Sequence, residues 1–326
     1  MLTDRFERVH DYLRISLTDV CNFRCSYCMP DENISFMPAA RLMQPEEIEQ
    51  IAKEFVKLGV KKIRLTGGEP LVRKDAKDIL HRLSRLPVEL TLTTNGSRVH
   101  DFISDFKKAG LTSINVSLDT LNKEKFEKIT RRNTFEKVWQ NIQLLINDGF
   151  HVKVNAVIMR GVNEEEIPDF IEWTKSQPIH LRFIEFMPFT GNHWENNKVF
   201  SYREILEVAA SHCSFIKMND GVNDTAKKYK PFQHEGTFAV ISTMSAPFCS
   251  GCNRMRLTAD GKMKNCLFSK GETDLLGAFR KGEDLVPLIR QCLSEKEKEL
   301  GGQFSTVLEN IDTRKIHNRS MINIGG

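Results

Sequence analysis

Six of the eight cysteines fall into two groups of three, and these groups are the clearest candidates for chemistry in the sequence. The groups are Cys21, Cys25 and Cys28 near the N-terminus, and Cys249, Cys252 and Cys266 in the C-terminal third. Three thiolates on one short segment can face a single metal centre. A structural zinc site takes a fourth protein ligand, whereas a four-iron cluster held by three cysteines leaves one iron open to a small molecule. Spacing alone does not decide between zinc and a cluster for either group, and His234 or an acidic side chain is a candidate fourth zinc ligand for the second group.

The other two cysteines, Cys213 and Cys292, stand alone, and we interpret them as buried packing residues. The N-terminus lacks the apolar stretch of a signal peptide. No apolar run approaches the roughly 18–20 residues that span a bilayer. We therefore expect a cytoplasmic protein without a membrane partner. In a reducing compartment, grouped cysteines favour metal binding or catalysis over disulfides.

The overall charge of the chain is nearly balanced. Lys and Arg number 47 against 43 Asp and Glu, which leaves a formal net charge of +4. This balance gives no reason to expect nucleic acid as a partner, but it is compatible with a local cationic pocket. At 326 residues, the chain is long enough for one large α/β domain with an extension.

Short strands alternate with amphipathic helical stretches from residue 11 to about residue 187. The predicted strands are 12–17, 62–66, 89–94, 113–118, 152–158 and 181–186. The predicted helices are 45–58, 76–85, 99–109, 135–147 and 165–175. This alternation predicts parallel strands with right-handed crossovers. Six units are too few for an eightfold barrel, so we predict an open, partial (six-unit) TIM-type barrel, with a flat doubly wound sheet as the alternative.

Polar residues recur along one face of every predicted strand. The cations on these faces are Arg14, Lys62, Arg64, Lys153 and Arg182. Parallel strands that are covered by helices on both faces normally read as continuous apolar runs. The alternation therefore favours a barrel whose interior carries hydrogen-bonding and cationic groups. An antiparallel sheet with one wet face would also alternate, but the helices between the strands disfavour it.

The regular pattern ends near residue 190. Beyond it we predict a helix at 202–210, strands near 237–243 and 255–257, and a charged helix at 284–300. We place a soft boundary at about residue 220. This predicts a barrel domain of residues 1–220 and a C-terminal domain of residues 221–326, which carries the second cysteine group and the terminal Gly325-Gly326.

The first cysteine group resembles the cluster-binding segment of the radical S-adenosylmethionine (SAM) superfamily. Residues 19–30 (DVCNFRCSYCMP) carry this resemblance directly after the first predicted strand. Residues 66–70 (TGGEP) resemble the segment with which that superfamily grips the methionyl amino group, and their glycines permit close backbone approach. The resemblance implies a 4Fe-4S cluster on Cys21, Cys25 and Cys28. Its open iron would chelate SAM, and one electron would release a 5′-deoxyadenosyl radical.

Nearly the whole chain is similar to the GTP 3′,8-cyclase family of molybdenum cofactor biosynthesis. Residues 4–16 (DRFERVHDYLRIS), 182–187 (RFIEFM), 252–257 (CNRMRL) and the terminal glycines carry the likeness. It implies a second 4Fe-4S cluster on Cys249, Cys252 and Cys266 that binds the guanine edge of GTP. The implied product is (8S)-3′,8-cyclo-7,8-dihydroguanosine 5′-triphosphate, formed when a ribose C3′ radical attacks guanine C8. Asn253 and the stretch 218–230 differ from the forms expected in the family, and we assign neither a role.

The same resemblance assigns residues to the two ligands. For SAM they are Tyr27 through its backbone, Gly68, Ser117 and Met187. For GTP they are Arg14, Arg64, Thr93, Lys153, Arg254 and Arg256, with Lys62, Asn155, Arg182, Gly325 and Gly326 as further candidates. Clustered Arg and Lys suit a triphosphate because they form charge-assisted hydrogen bonds with it. In the family the glycine tail reaches the active site, so we expect it to be needed for turnover.

The resemblance also implies protein partners. These are an electron donor such as flavodoxin or ferredoxin, a second copy of the chain in a homodimer, and the next pathway enzyme, cyclic pyranopterin monophosphate synthase. Three alternatives stay open. A peptide-modifying maturase of the superfamily would usually carry more C-terminal cysteines, and an iron–sulfur or zinc carrier would not need the cationic strands. An RNA-modifying enzyme is disfavoured by the near-neutral charge.

Overall fold

The computed structural model describes residues 1–31, 34–304, 310–312 and 315–325, and a single mixed sheet organises them. The strands are β1 (Tyr12–Ser16), β2 (Lys62–Thr66), β3 (Glu89–Thr94), β4 (Ser113–Ser117), β5 (His151–Ile158), β6 (His180–Glu185), β7 (Phe215–Lys217), β8 (Lys227–Pro231), β9 (Thr237–Ile241), β10 (Arg254–Leu257), β11 (Lys262–Lys264) and β12 (Thr273–Asp274). The helices are α1 (Pro45–Lys57), α2 (Ala76–Leu83), α3 (Ile103–Lys108), α4 (Lys123–Thr130), α5 (Phe135–Asn147), α6 (Ile167–Trp173), α7 (Tyr202–His212), α8 (Leu275–Arg280), α9 (Leu285–Ser294) and α10 (Met321–Ile324).

The strand order is β12-β11-β10-β1-β2-β3-β4-β5-β6-β9-β8-β7. Strands β1 to β6 are neighbours in chain order and all pair in parallel. A doubly wound sheet requires a reversal of strand order, and this run has none, so right-handed crossovers place its helices on one face. The predicted open, six-unit barrel is confirmed. The C-terminal part adds a parallel strand at each edge, because β10 pairs with β1 and β9 pairs with β6.

The main core lies between the outer face of the sheet and the helices. Alternate strand residues such as Ile15, Ile63, Ile114 and Val152 are fully buried there. Helix α1 contributes its buried stripe to the same core. Burial of this apolar surface supplies the main driving force for packing the helices onto the sheet. Because alternate residues of a strand point to opposite faces, the polar residues between these positions face inward. No helix in the described ranges has the length and apolar character to cross a bilayer.

Within the barrel, two differences between the predicted and the observed helices stand out. The predicted helix 99–109 is a 3₁₀ turn over Val99–Asp101 followed by α3. Helix α4 is not predicted at all, since only Phe126, Ile129 and Thr130 of its eight residues are buried and the apolar period is weak. Its start is set by Asn122, whose side-chain oxygen accepts a hydrogen bond from the backbone N–H of Lys125 at 2.9 Å.

Two further predictions concern the C-terminal part. The predicted helix 284–300 ends at Ser294, and the charged residues that follow leave the helix. The proposed boundary at about residue 220 falls in the connection between β7 and β8, which pair with each other. The sheet is continuous across this point, and the division into two domains stays a prediction.

Glu185 links the end of β6 to two other elements. Its buried carboxylate accepts hydrogen bonds from the backbone N–H groups of Tyr202 at 2.8 Å, Met244 at 2.7 Å and Ser245 at 3.0 Å. The hydroxyl of Ser245 donates a further bond to it. Glu185 therefore joins β6 to the start of α7 and to the turn that follows β9.

Replacement of Glu185 by Ala should lower the free energy of unfolding of the metal-free protein by about 3 kcal/mol. The reason is that several buried donors lose a charged acceptor, and each such bond is worth about 1.5–3 kcal/mol. Chemical denaturation under anaerobic conditions measures the change. The exposed Glu207→Ala is the control and should stay within about 0.5 kcal/mol of the parent. Equal effects of the two substitutions would contradict the assigned role.

Candidate active site

The inner face of the barrel surrounds a cavity of about 450 Å³. All six strands β1 to β6 contribute side chains to it, as do segments from the C-terminal part. The size is that of a small-molecule site, which commonly occupies about 300–1,000 Å³. Every candidate residue of the sequence analysis that lies in the described ranges lines this cavity, except His234 and Gly325.

The first cysteine group lies on the loop that follows β1. The loop is held by its backbone, since Arg24 N–H donates to Thr130 O and Ser26 N–H donates to Ile129 O, both at 2.9 Å. Burial raises the pKa of Cys21 to about 11 and that of Cys28 to about 12. Thiols in such surroundings stay protonated at neutral pH unless a metal centre takes the proton's place. Three such thiols around one cavity form a donor set that suits an iron–sulfur cluster.

The two glycines after β2 allow the backbone to pack closely against the start of the cysteine loop. A Cβ atom at Gly67 would lie 2.7 Å from the carbonyl oxygen of Thr18, and one at Gly68 would lie 2.5 Å from that of Asp19. Gly68 N–H donates to Thr18 O at 2.7 Å. Only glycine permits such an approach, so the end of β2 is packed directly against the start of the cysteine loop.

Glu69 completes this junction from within the protein. Its buried carboxylate accepts hydrogen bonds from Leu71 N–H at 3.0 Å, Thr94 Oγ1 at 2.8 Å and Asn95 N–H at 2.6 Å. Burial raises its pKa to about 7. The amide of Asn95 then donates to Asn22 Oδ1 at 2.8 Å. The carboxylate therefore ties the ends of β2 and β3 to the loop that carries the first cysteines.

The four SAM candidates line the cavity together with this first group. They are Tyr27, Gly68, Ser117 and Met187. The hydroxyl of Tyr27 donates to Asp119 Oδ2 at 2.8 Å, and Asp119 Oδ1 accepts from Val157 N–H at 2.9 Å. This pair fixes the tyrosine side chain, so the backbone of residue 27 is held at the cavity wall.

The second cysteine group meets the same cavity from the C-terminal part. Cys249 opens a 3₁₀ turn, Cys252 lies just before β10, and Cys266 follows β11. Because β10 and β11 pair antiparallel, the hairpin brings Cys252 and Cys266 together. His234 instead bonds Thr174 through Nδ1 at 2.9 Å and does not line the cavity. In the described ranges, no three His, Cys, Asp or Glu side chains form a group that could hold a single metal ion.

Strand register brings the cations together. Arg14 on β1 lies in register with Arg256 on β10 and with Arg64 on β2. The cations that line the cavity are Arg14, Lys62, Arg64, Lys153, Arg182, Arg254 and Arg256. Carboxylates are fewer among the lining residues, namely Glu69, Asp119 and Asp224. The cavity is therefore strongly cationic, although the chain as a whole is almost neutral.

The chain also places residues in the cavity that sequence reasoning missed. Tyr12 lies there and accepts a hydrogen bond from Arg64 Nε. It lies two residues before Arg14 on β1 and therefore on the same face, and this spacing could have predicted its place in the cavity. The stretch 218–230, to which no role was assigned, contributes residues 223–225 to the lining. It packs closely on the second cysteine group, because a Cβ atom at Gly251 would lie 2.0 Å from Val222 O. No local pattern marks such a loop.

The C-terminal tail enters the barrel. Met321 and Ile322 line the cavity, and the carbonyl of Gly325 accepts a hydrogen bond from Arg256 Nη1 at 2.6 Å. A Cβ atom at Gly325 would lie 2.7 Å from Thr66 Oγ1, and its φ of +87° is one that side-chain-bearing residues rarely adopt. Gly326 lies outside the described residues.

Comparison with known proteins gives two family matches. Residues 15–174 match the model of the radical SAM superfamily, and residues 179–301 match that of Molybdenum Cofactor Synthesis C. The solved structure of SuiB from Streptococcus suis bound to S-adenosylmethionine shares the fold, with a TM-score of 0.63 and 16% identity. That likeness covers 97% of this chain and 74% of SuiB.

Curated relatives are much more similar in sequence. The mitochondrial GTP 3′,8-cyclase of Arabidopsis thaliana is 45% identical over all of this chain and 84% of its own length. The GTP 3′,8-cyclase of Rhodopirellula baltica is 41% identical over 92% of this chain and 87% of its own length. Human molybdenum cofactor biosynthesis protein 1 is 45% identical, but this chain spans only about half of it (49%), as with its Drosophila melanogaster counterpart (54%). The chain belongs to the GTP 3′,8-cyclase family of the radical SAM superfamily.

Proposed function

We propose that the chain converts GTP to (8S)-3′,8-cyclo-7,8-dihydroguanosine 5′-triphosphate, the first step of molybdenum cofactor biosynthesis. One observation carries this proposal: both cysteine groups and seven cationic side chains line a single cavity. Two metal centres with open positions, facing each other across a cationic space, suit a substrate with a purine at one end and a triphosphate at the other.

Each cysteine group would hold one iron–sulfur cluster at its own side of the cavity. Cys21, Cys25 and Cys28 would hold one 4Fe-4S cluster, and Cys249, Cys252 and Cys266 would hold the other. The cluster on Cys21, Cys25 and Cys28 would supply the electron for the reductive cleavage of bound SAM. Tyr27, Gly68, Ser117 and Met187 would contact SAM, since they line the wall around the first group. The second group would face the guanine edge.

Three of these cations call for an anionic ligand, because no carboxylate in the described ranges compensates their charge. Arg64, Lys153 and Arg182 form no ion pair with a carboxylate anywhere in the described ranges, whereas Lys62 pairs with Glu89 at 2.7 Å. Burial and the nearby Arg182 lower the pKa of Lys153 to about 8. A triphosphate would relieve this repulsion.

Orphaned polar atoms support the same assignment. Among the described residues, Nε and Nη2 of Arg182 are buried without a hydrogen-bond partner, as is Oδ1 of Asn155 on the adjacent strand. Buried donors and acceptors are nearly always satisfied, so these atoms point to a polar ligand in the cavity. Arg14, Arg64, Thr93, Lys153, Arg254 and Arg256 would fix the nucleotide, with Lys62, Asn155 and Arg182 beside them. Fixing matters because a ribose radical has many fates, and positioning selects the intramolecular one.

The proposal also covers the partners, the assembly, the location and the domain division of the protein. We include an electron donor of the flavodoxin or ferredoxin type, product transfer to cyclic pyranopterin monophosphate synthase, a homodimeric assembly and a cytoplasmic location. We also retain the division into a barrel domain of residues 1–220 and a C-terminal domain of residues 221–326. An iron–sulfur carrier has no use for the uncompensated cations, which favours the enzyme over that alternative.

Anaerobic reconstitution followed by incubation with SAM and GTP should yield 5′-deoxyadenosine and the cyclised nucleotide. Cys25→Ser should abolish both products, because the first cluster is lost. Cys252→Ser should keep about half of the iron but form no cyclised nucleotide. Chromatography of the products and iron analysis measure these outcomes. Isolation of a zinc protein, or cyclisation by the Cys252→Ser variant at the parental rate, would contradict the proposal.

Replacement of Lys153 by Met should stabilise the metal-free protein by about 2 kcal/mol at pH 7, because it removes a buried, uncompensated charge. The pKa of Lys153 is lowered in the folded state, so the unfolded chain binds more protons between pH 8 and about 10.5. The parent therefore gains stability as the pH rises through this window, and the advantage of the variant should shrink.

Chemical denaturation of both proteins at pH 7 and pH 10 tests this expectation. The exposed Lys175→Met provides the matched control and should show no such pH-dependent difference. A difference between parent and Lys153→Met that is the same at both pH values would show that the charge at this position does not repel its neighbours.

Deletion of residues 325–326 should abolish formation of the cyclised nucleotide while both clusters are retained. The carbonyl of Gly325 accepts a hydrogen bond from Arg256. The deletion removes this contact, so Arg256, which is assigned to GTP, is no longer held in position. Iron content and product yield are measured side by side on the truncated and the full-length chain. Full activity of the truncated chain would refute a role for the tail.

A further inference from the structure

Lys296 is a buried cation that the proposed reaction does not use. It follows the end of α9, and only 2% of its surface is exposed. Its ammonium group donates hydrogen bonds to the carbonyl oxygens of Asn265 and of Arg254, the latter at 3.4 Å. Lysine is almost never buried to this degree without a partner of opposite charge. The partner of this ammonium group therefore needs to be identified.

Both carbonyls belong to segments that carry the second cysteine group. Arg254 lies two residues after Cys252 at the start of β10, and Asn265 directly precedes Cys266 at the end of β11. One ammonium group thus bridges the two strands of the hairpin at the point where their cysteines emerge. It adds a side-chain link to the antiparallel pairing of β10 and β11.

The segment that follows Lys296 supports the third cysteine. The backbone N–H of Leu300 donates to Cys249 Sγ at 3.5 Å. Arg8 donates to the carbonyl of Cys249 and to that of Lys298, both at 2.8 Å. Residues 296–300 therefore support the segments of all three cysteines.

No carboxylate in the described ranges forms an ion pair with Lys296. The buried acid of the N-terminal segment, Asp4, pairs with Arg8 at 2.7 Å and with His10 at 3.0 Å. His10 is neutral at pH 7, since burial and the nearby Lys296 lower its pKa to about 4. Cysteines bind metal as thiolates, so metal binding would place negative charge on Cys252 and Cys266, whose segments Lys296 contacts.

We propose that Lys296 is the positioning residue and countercharge of the second cysteine group, and that its charge makes a cluster bound there easier to reduce. This inference rests on the proposed second cluster. Lys296 does not line the cavity, so it acts through the cluster and not on the substrate. A fixed positive charge stabilises the electron gained on reduction, and nearby charge and hydrogen bonds are known determinants of cluster potentials.

The test uses the full-length chain with Cys21, Cys25 and Cys28 replaced by Ala, so that only the second cluster can form. Lys296→Gln keeps a donor for the two carbonyls but removes the charge. We expect it to retain iron and sulfide close to the parental amount and to shift the midpoint potential of the cluster to a more negative value. Lys296→Arg keeps the charge and should restore the parental potential. A redox titration followed by electron paramagnetic resonance measures the shift.

Lys296→Met removes both charge and donors, so it should show the same direction of shift together with reduced iron content. It supplies the comparison if Lys296→Gln does not fold, as judged by thermal denaturation. The exposed Lys298→Gln is the matched control and should keep the parental potential. An unshifted potential in the charge-free variants overturns the inference. If no cluster forms in the chain that lacks Cys21, Cys25 and Cys28 but keeps Lys296, the assignment of the second cluster is overturned as well.

Discussion

Three arginines side by side on neighbouring strands are the constraint on which the site depends. Arg256, Arg14 and Arg64 share one register across β10, β1 and β2, and adjacent strands lie only about 4.8 Å apart. Like charges at this spacing repel, so the outer face of the same strands must supply the favourable energy. It does so because Ile15, Leu65 and Leu257 on that side are buried against the core. The fold thus holds the three arginines in place despite their repulsion, and a bound anion would reduce that repulsion.

The route of the chain explains why both cysteine groups reach this row of cations. The barrel begins with β1, and the C-terminal part returns to pair β10 with the free edge of β1. This return brings Cys252 and Arg256 to the strand that precedes Cys21. A hairpin then carries Cys266 back to the same place. Two groups that are more than two hundred residues apart in sequence therefore become neighbours of one cavity.

Local patterns made most of the barrel and its inner face predictable. Strands β2 and β3 have the predicted bounds, because apolar and polar residues alternate along them with the period of a strand. Local patterns could not reveal the pairing of β9 and β10 with the barrel, since it joins distant segments. They also give no sign that Lys296 is buried, because a lysine in a charged run normally indicates a solvated face. The carbonyls that accept its hydrogen bonds, those of Arg254 and Asn265, belong to other elements.

The position of the tail depends on a second apolar cluster, separate from the main core. Phe186 and Phe189 follow β6, and they share this cluster with Phe268, Leu300 and Ile324 from the C-terminal part. The rings of Phe189 and Phe268 stack at 5.7 Å. Burial of Ile324 in this cluster anchors the residue directly before Gly325, so the adjacent carbonyl is held where Arg256 can donate to it. Phe268 and Leu300 of the same cluster also line the cavity, so the apolar contacts that anchor the tail form part of the cavity wall.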